Sequence, residues 1–247
     1  MLSEKEIRPG ARKLSLPLLE APETVRIKFC KIGNIQFISH LDLQRTFHRV
    51  LVRADIPMWY TKGFNPHAKL VFGVPLSVGT ESMCEMADLK IERKISLEDI
   101  KNQLNEQLTD EMYVLEAYYP TTKFADIAYA DYTITLKSPA ISSETEKQAV
   151  ELFSSPIMMT KKSKSGDREI DICTMIKKIN TVYNAEHPGE IRISTILSAG
   201  NTEHLNPELL IKAAKDQLGI LCKDPANESY TILRTHVYTA DGVTEFC

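Results

Sequence analysis

The sequence lacks any run approaching the roughly 20 apolar residues that a helix needs to cross a bilayer, so no membrane-spanning helix is expected. Its start mixes Glu4, Lys5, Glu6 and Arg8 where a secretory leader would carry an apolar centre. Cysteine is sparse: Cys30, Cys84, Cys173, Cys222 and Cys247 include no close pair. That spacing provides neither a disulfide framework nor the clustered thiolates of zinc and iron–sulfur sites. Together these absences predict a cytoplasmic protein in a reducing compartment, with no membrane, metal or cofactor. The 12 prolines and 10 glycines leave an ordinary globular composition, and 247 residues exceed one minimal domain, so two compact domains are expected.

A strong net charge is also missing, since 30 basic residues face 33 acidic ones. The charge is nevertheless uneven. Between Arg26 and Lys69 eight cations (Arg26, Lys28, Lys31, Arg45, Arg49, Arg53, Lys62 and Lys69) face only Asp42 and Asp55. The same stretch holds His40, His48 and His67. Such a local field on an acidic chain attracts an anionic partner, unless the charges balance in three dimensions.

Residues 1–23, with Pro9, Gly10, Pro17 and Pro22 and no periodicity, read as a flexible N-terminal tail. From Thr24 onward Val25, Ile27 and Phe29 alternate with Arg26 and Lys28, the period of a half-buried strand. Ser39 caps a helix with Asp42 three residues on, and Leu43, Phe47, Val50, Leu51 and Ala54 recur on one face, with Arg45, Arg49 and Arg53 on the other. Strands over 70–76 and 84–92, a helix capped by Ser96 and a strand over 112–118 complete the order β-α-β-β-α-β. A linker is expected over 120–130. The order then repeats through a strand near Tyr132, a helix over 142–153, a hairpin turning at Ser165-Gly166-Asp167, a strand over 190–197, a helix over 207–218 and a strand over 230–238. The segment 173–184 has no place in this scheme. The predicted class is α+β with tandem ferredoxin-like (split βαβ) domains over 24–120 and 131–247.

The densest chemistry lies in Tyr60 to Leu70. Lys62 and Lys69 suit phosphates, Phe64 or Tyr60 an unpaired base, and Asn65 or His67 a base edge or ribose hydroxyl. Alternatively Gly63 and Asn65-Pro66 only form a turn and Phe64 plugs the core. Candidate RNA-binding residues are thus Arg45, Arg49, Lys62, Phe64, Asn65, His67 and Lys69. His40 reads as a core or capping histidine; should it converge with His67, the two form an acid–base pair for RNA cleavage, with Glu81 a further catalytic candidate. Glu81, Glu85 and Asp88 either hold magnesium, do such acid–base work or neutralise the basic helix. Lys161, Lys162, Lys164 and Arg168 around the second turn either grip a phosphate backbone or keep an edge soluble. The run Ser198-Ala199-Gly200-Asn201 is a weak phosphate-loop signal.

Two stretches carry a family resemblance. Ser39-His40-Leu41-Asp42, Gly63-Phe64-Asn65-Pro66-His67, Pro75-Leu76-Ser77-Val78-Gly79 and Glu81-Ser82 resemble the motifs of bacterial radical S-adenosylmethionine-associated (radical SAM-linked) proteins, a domain of unknown function. The resemblance is specific over 25–88 and looser beyond. It implies association with a radical SAM protein in trans or fused, near tRNA or rRNA functions. The chain has no trio of closely spaced cysteines for a four-iron cluster, so any such partner must bring it. These readings converge on a non-enzymatic RNA-binding or substrate-presenting module. A ribonuclease or RNA-modifying enzyme using His40 and His67 is the alternative, and a protein–protein adaptor without RNA is another.

Overall fold

The computed structural model describes residues 11–161, 168–222 and 226–247. Its architecture is mixed α+β, with mostly antiparallel strands and few helices. No described helix is long and apolar enough to cross a membrane. Two compact units divide the chain: one runs up to Phe124 and includes Cys247, and the other is Ala125–Phe246.

The first unit begins earlier than its sequence pattern indicates. Helix α1 spans Ala11–Ser15 and strand β1 spans Leu18–Lys31, so the tail expected over 1–23 is structured from residue 11. Long-range bonds hold this segment where periodicity is silent: Lys13 N–H donates to Asp55 Oδ2 at 3.0 Å, Arg93 Nη1 to the Leu16 carbonyl at 2.8 Å and Lys94 N–H to the Pro17 carbonyl at 2.8 Å.

Helix α2 (His40–Arg53), strands β2 (Leu70–Phe72) and β3 (Glu81–Arg93), helix α3 (Leu97–Asn105) and strand β4 (Val114–Tyr118) complete the unit. Both helices start by the same local device. The Ser39 hydroxyl accepts the Asp42 N–H at 3.1 Å and donates to its carboxylate at 2.7 Å; Ser96 and Asp99 repeat this at 3.0 and 2.7 Å. Each cap satisfies an N–H that the helix itself leaves unbonded, worth about 1 kcal/mol. β2 is shorter than expected because the chain turns away at Gly73 and Pro75.

The strands lie in the order β4-β1-β3-β2, all antiparallel. The register pairs Val25 with Leu89 and Ile27 with Ala87, and these face the helices. There they meet Leu43, Phe47, Leu51, Ile100 and Leu104 in one buried core. Phe29 packs on Phe47 at 4.8 Å between ring centroids, and Phe72 sits 5.4 Å from Phe47. Full burial of Phe29 and of Phe47 contributes about 1.5–3 kcal/mol each.

The second unit has strands β5 (Tyr129–Lys137), β8 (Ile176–Tyr183), β9 (Glu190–Ser198) and β10 (Ser229–Tyr238), with helices α4 (Ser143–Phe153) and α5 (Glu208–Leu218). Their order is β10-β5-β9-β8, again antiparallel. Two sequence expectations change here. The segment 173–184 supplies β8, the edge strand of this sheet, whereas the expected hairpin is a separate pair, β6 (Met158–Lys161) and β7 (Arg168–Asp171). Its turn at Ser165-Gly166-Asp167, with Lys162 and Lys164, lies outside the described residues. The expected linker over 120–130 also carries structure, with a 3-10 turn at Phe124–Asp126 and β5 starting at Tyr129.

Candidate nucleic-acid interface

The loop between α2 and β2 is closed at its base by main-chain bonds. Trp59 N–H donates to the Lys90 carbonyl at 2.7 Å, Lys69 N–H to the Trp59 carbonyl at 3.0 Å and Lys90 N–H to the Lys69 carbonyl at 3.1 Å. One rung further out, Thr61 N–H donates to the His67 carbonyl at 2.9 Å, and the Thr61 hydroxyl accepts the His67 N–H at 3.2 Å while lying 3.1 Å from His67 Nδ1. Gly63 turns the tip at φ +138°, a backbone value that side chains rarely adopt. The residues beyond the outer rung are exposed, and Phe64 is fully so. Its alternative role as a core plug is excluded by that exposure; Ile56, Met58 and Ala68 of this loop enter the core instead. Lys62, Asn65, His67 and Lys69 are exposed beside Phe64.

Helix α2 buries Leu43, Phe47, Val50 and Leu51, which leaves Arg45, Arg49 and Arg53 exposed. Arg45 Nη1 lies 3.2 Å from Asp42 Oδ1, and the Ser39 hydroxyl followed by Arg45 holds the Asp42 carboxyl below its ordinary range. Arg49, Arg53, Lys62 and Lys69 make no ion pair among the described residues.

The cationic stretch is smaller at the surface than its sequence count. Arg26 is 1% exposed and Lys31 3% exposed. Arg26 donates twice to Asp88, from Nε at 2.7 Å and from Nη2 at 3.1 Å, and also to the Thr122 hydroxyl and carbonyl. The Phe124 ring lies 4.2 Å from its guanidinium. Asp88 therefore neutralises the first strand rather than the basic helix.

The catalytic candidates have separate partners. His40 Nε2 lies 3.0 Å from Gln44 Nε2, with its ring edge-on to Phe72 at 5.4 Å, while His67 is bound to Thr61 and to the Asn65 carbonyl. Glu81 Oε1 accepts the Gly33 N–H at 2.7 Å and so anchors the 3-10 turn Gly33–Phe37. No described contact joins any two of the three, and no group of ligand-type side chains able to hold a metal occurs among the described residues. Sequence reading missed Trp59 and Lys90, whose ammonium lies 5.1 Å from the indole centroid. The signal for it was only the lone tryptophan ahead of the loop, with no motif around it.

Comparisons with known proteins place the chain in a family but attach no activity to it. No curated protein matches the chain significantly. A chain from the crystal structure of a Cbf5-Nop10-Gar1 complex is 9% identical, with a TM-score of 0.45 over 86% of this chain and 48% of that one, so this chain spans about half that relative's length. A DypB variant from Rhodococcus jostii RHA1 in complex with heme is 12% identical with a TM-score of 0.21, covering 88% and 94%. The encapsulated DyP-type peroxidase from Mycobacterium smegmatis is 9% identical with a TM-score of 0.18, covering 89% and 96%. At such scores these likenesses carry no argument. The family model is different in extent, since it matches residues 24–207 and so takes in α2, the exposed loop and most of both units: the chain belongs to the family described as "Uncharacterized protein conserved in bacteria (DUF2344)".

Proposed function

We propose that this protein is an RNA-binding, substrate-presenting module that works with a radical SAM enzyme in tRNA or rRNA modification or processing. The observation that carries the RNA half is the closed loop that holds Phe64 fully in solvent between the exposed Lys62 and Lys69. Burying a phenylalanine is the ordinary outcome of folding, and one held out beside unpaired cations offers a stacking surface within reach of phosphate charge. Arg45 and Arg49 extend that charge along α2. The partner half rests on the motif resemblance, and any such enzyme supplies the radical chemistry itself. We further infer that both units are ferredoxin-like domains, on the strength of their common β-α-β-β-α-β order and matching strand arrangement.

The RNA reading is tested by binding of total cellular RNA across a salt series. The Lys62→Ala, Lys69→Ala, Arg49→Ala triple variant should bind more weakly and shift the slope of log affinity against log salt towards zero by about 2. Absence of binding by the native chain rejects the reading. The partner reading is checked by co-elution with a cluster-bearing radical SAM enzyme from the same source; separate elution at micromolar concentrations rejects it.

A further inference from the structure

The strand register puts Trp59 on the side of the sheet that the helices do not cover. Met58 bridges to Ile91 and is buried in the core, so the next residue points the other way. Val71 pairs with Asp88, and Lys69 and Lys90 each lie two residues from that pair, which gives them the same face. The three main-chain bonds at the loop base hold Trp59, Lys69 and Lys90 side by side. The middle of this face is closed: Phe124 lies over Arg26, and a Cβ on Gly73 would come within 3.2 Å of the Phe124 ring. Access is therefore at the β2 edge, where Trp59 is partly exposed and Val71 is exposed. Asp88 is engaged by Arg26, which leaves Glu92 as the acid on this face of β3, near two lysines, Lys69 and Lys90.

We propose that Trp59, flanked by Lys69 and Lys90, is a stacking position for an unpaired nucleotide of single-stranded RNA, adjoining the loop that carries Phe64. This rests on the RNA reading above and adds the substrate class. An indole stacks on any base whose face is free, whereas bases inside a duplex already have neighbours on both faces. Stacking of a base outweighs an exposed cation–π contact, so Lys90 exchanges the ring for the phosphate of the incoming nucleotide.

Trp59 is the only tryptophan of the chain, so its emission reports on this position directly. The full chain is titrated with a ten-nucleotide oligo(U) and with a ten-base-pair RNA duplex, following anisotropy of the labelled RNA and tryptophan emission in parallel. The expected result is saturable quenching by oligo(U) with the midpoint seen by anisotropy, and little quenching by the duplex. Trp59→Ala should weaken oligo(U) binding by about ten-fold, and Trp59→Phe, which keeps an aromatic face, by clearly less. Oligo(U) binding without quenching overturns the Trp59 position and leaves the RNA reading standing. Equal quenching by the duplex overturns the unpaired class. No anisotropy change with either RNA overturns both.

Discussion

In the first unit the chain between α2 and β2 closes into a loop that presents Phe64, Lys62 and Lys69; in the second the chain between α4 and β8 forms the β6–β7 hairpin and a 3-10 turn at Ile172–Met175. Strand order is the same around both. The outer faces differ too. On β1 the central cation, Arg26, is sealed by Asp88, Thr122 and Phe124, whereas on β5 the corresponding positions Asp131, Thr133 and Thr135 are half-buried, and Arg192 and Ser194 on β9 are exposed. One architecture thus tolerates different chemistry on its first crossover and on its free face, because neither takes part in the core that fixes the strands. Burial also raises the Asp131 carboxyl, with His236 and Lys178 opposing that rise, so the second unit holds a partly buried acid where the first holds a fully paired cation.

The sharpest way to break this comparison is to remove the sealed charge. Arg26→Ala strands a carboxylate and two Thr122 acceptors and should cost about 3 kcal/mol in urea unfolding. The Arg26→Leu, Asp88→Leu pair should recover much of that; a cost under about 1 kcal/mol for Arg26→Ala would mean the pair does not hold the face shut.

A smaller effect contrasts two glycine turns. Gly189, at φ +88°, would bring a Cβ to 3.0 Å from the Ser138 carbonyl oxygen, while Gly63 has no neighbour within 4 Å. Gly189→Ala should cost about 2 kcal/mol and Gly63→Ala about 1 kcal/mol, the difference being the close approach. Equal losses in thermal unfolding would assign both to backbone strain alone.

Alkaline titration gives a subtler contrast. Burial pushes the Tyr118 hydroxyl up to about 12, and burial also raises Tyr230, with Glu208 adding to the rise. A tyrosine that stays neutral in the fold while its unfolded counterpart ionises near pH 10 stabilises below that pH and loses its contribution as pH rises towards 12. Ultraviolet difference spectra should show a late tyrosine absent from Tyr118→Phe. The smallest effect is expected for Lys137→Ala, whose exposed amine sits 3.2 Å from Glu190: less than about 1 kcal/mol, shrinking with salt.

What could be read in advance was local. Alternation at Val25, Ile27 and Phe29 and the Ser-x-x-Asp caps at Ser39 and Ser96 involve neighbours in sequence, and each forms the element its pattern implies. What escaped depends on distant partners. Arg26 counted as a free cation because Asp88 and Thr122 are far along the chain. β8 was hidden because its register slips between Ile176 and Lys178, which breaks the period-two signal. Trp59 gains meaning only from Lys69 and Lys90 beside it.

The family match starts at residue 24, inside β1, whereas the described structure of the unit already includes α1 from residue 11. A chain trimmed to the matched boundary would lose the Lys13 N–H that Asp55 accepts at the end of α2, the Leu18–Arg93 pairing and the carbonyls of Leu16 and Pro17 that Arg93 and Lys94 use. Any minimal fragment for binding work therefore has to be drawn by hydrogen bonds at its start and not by sequence similarity.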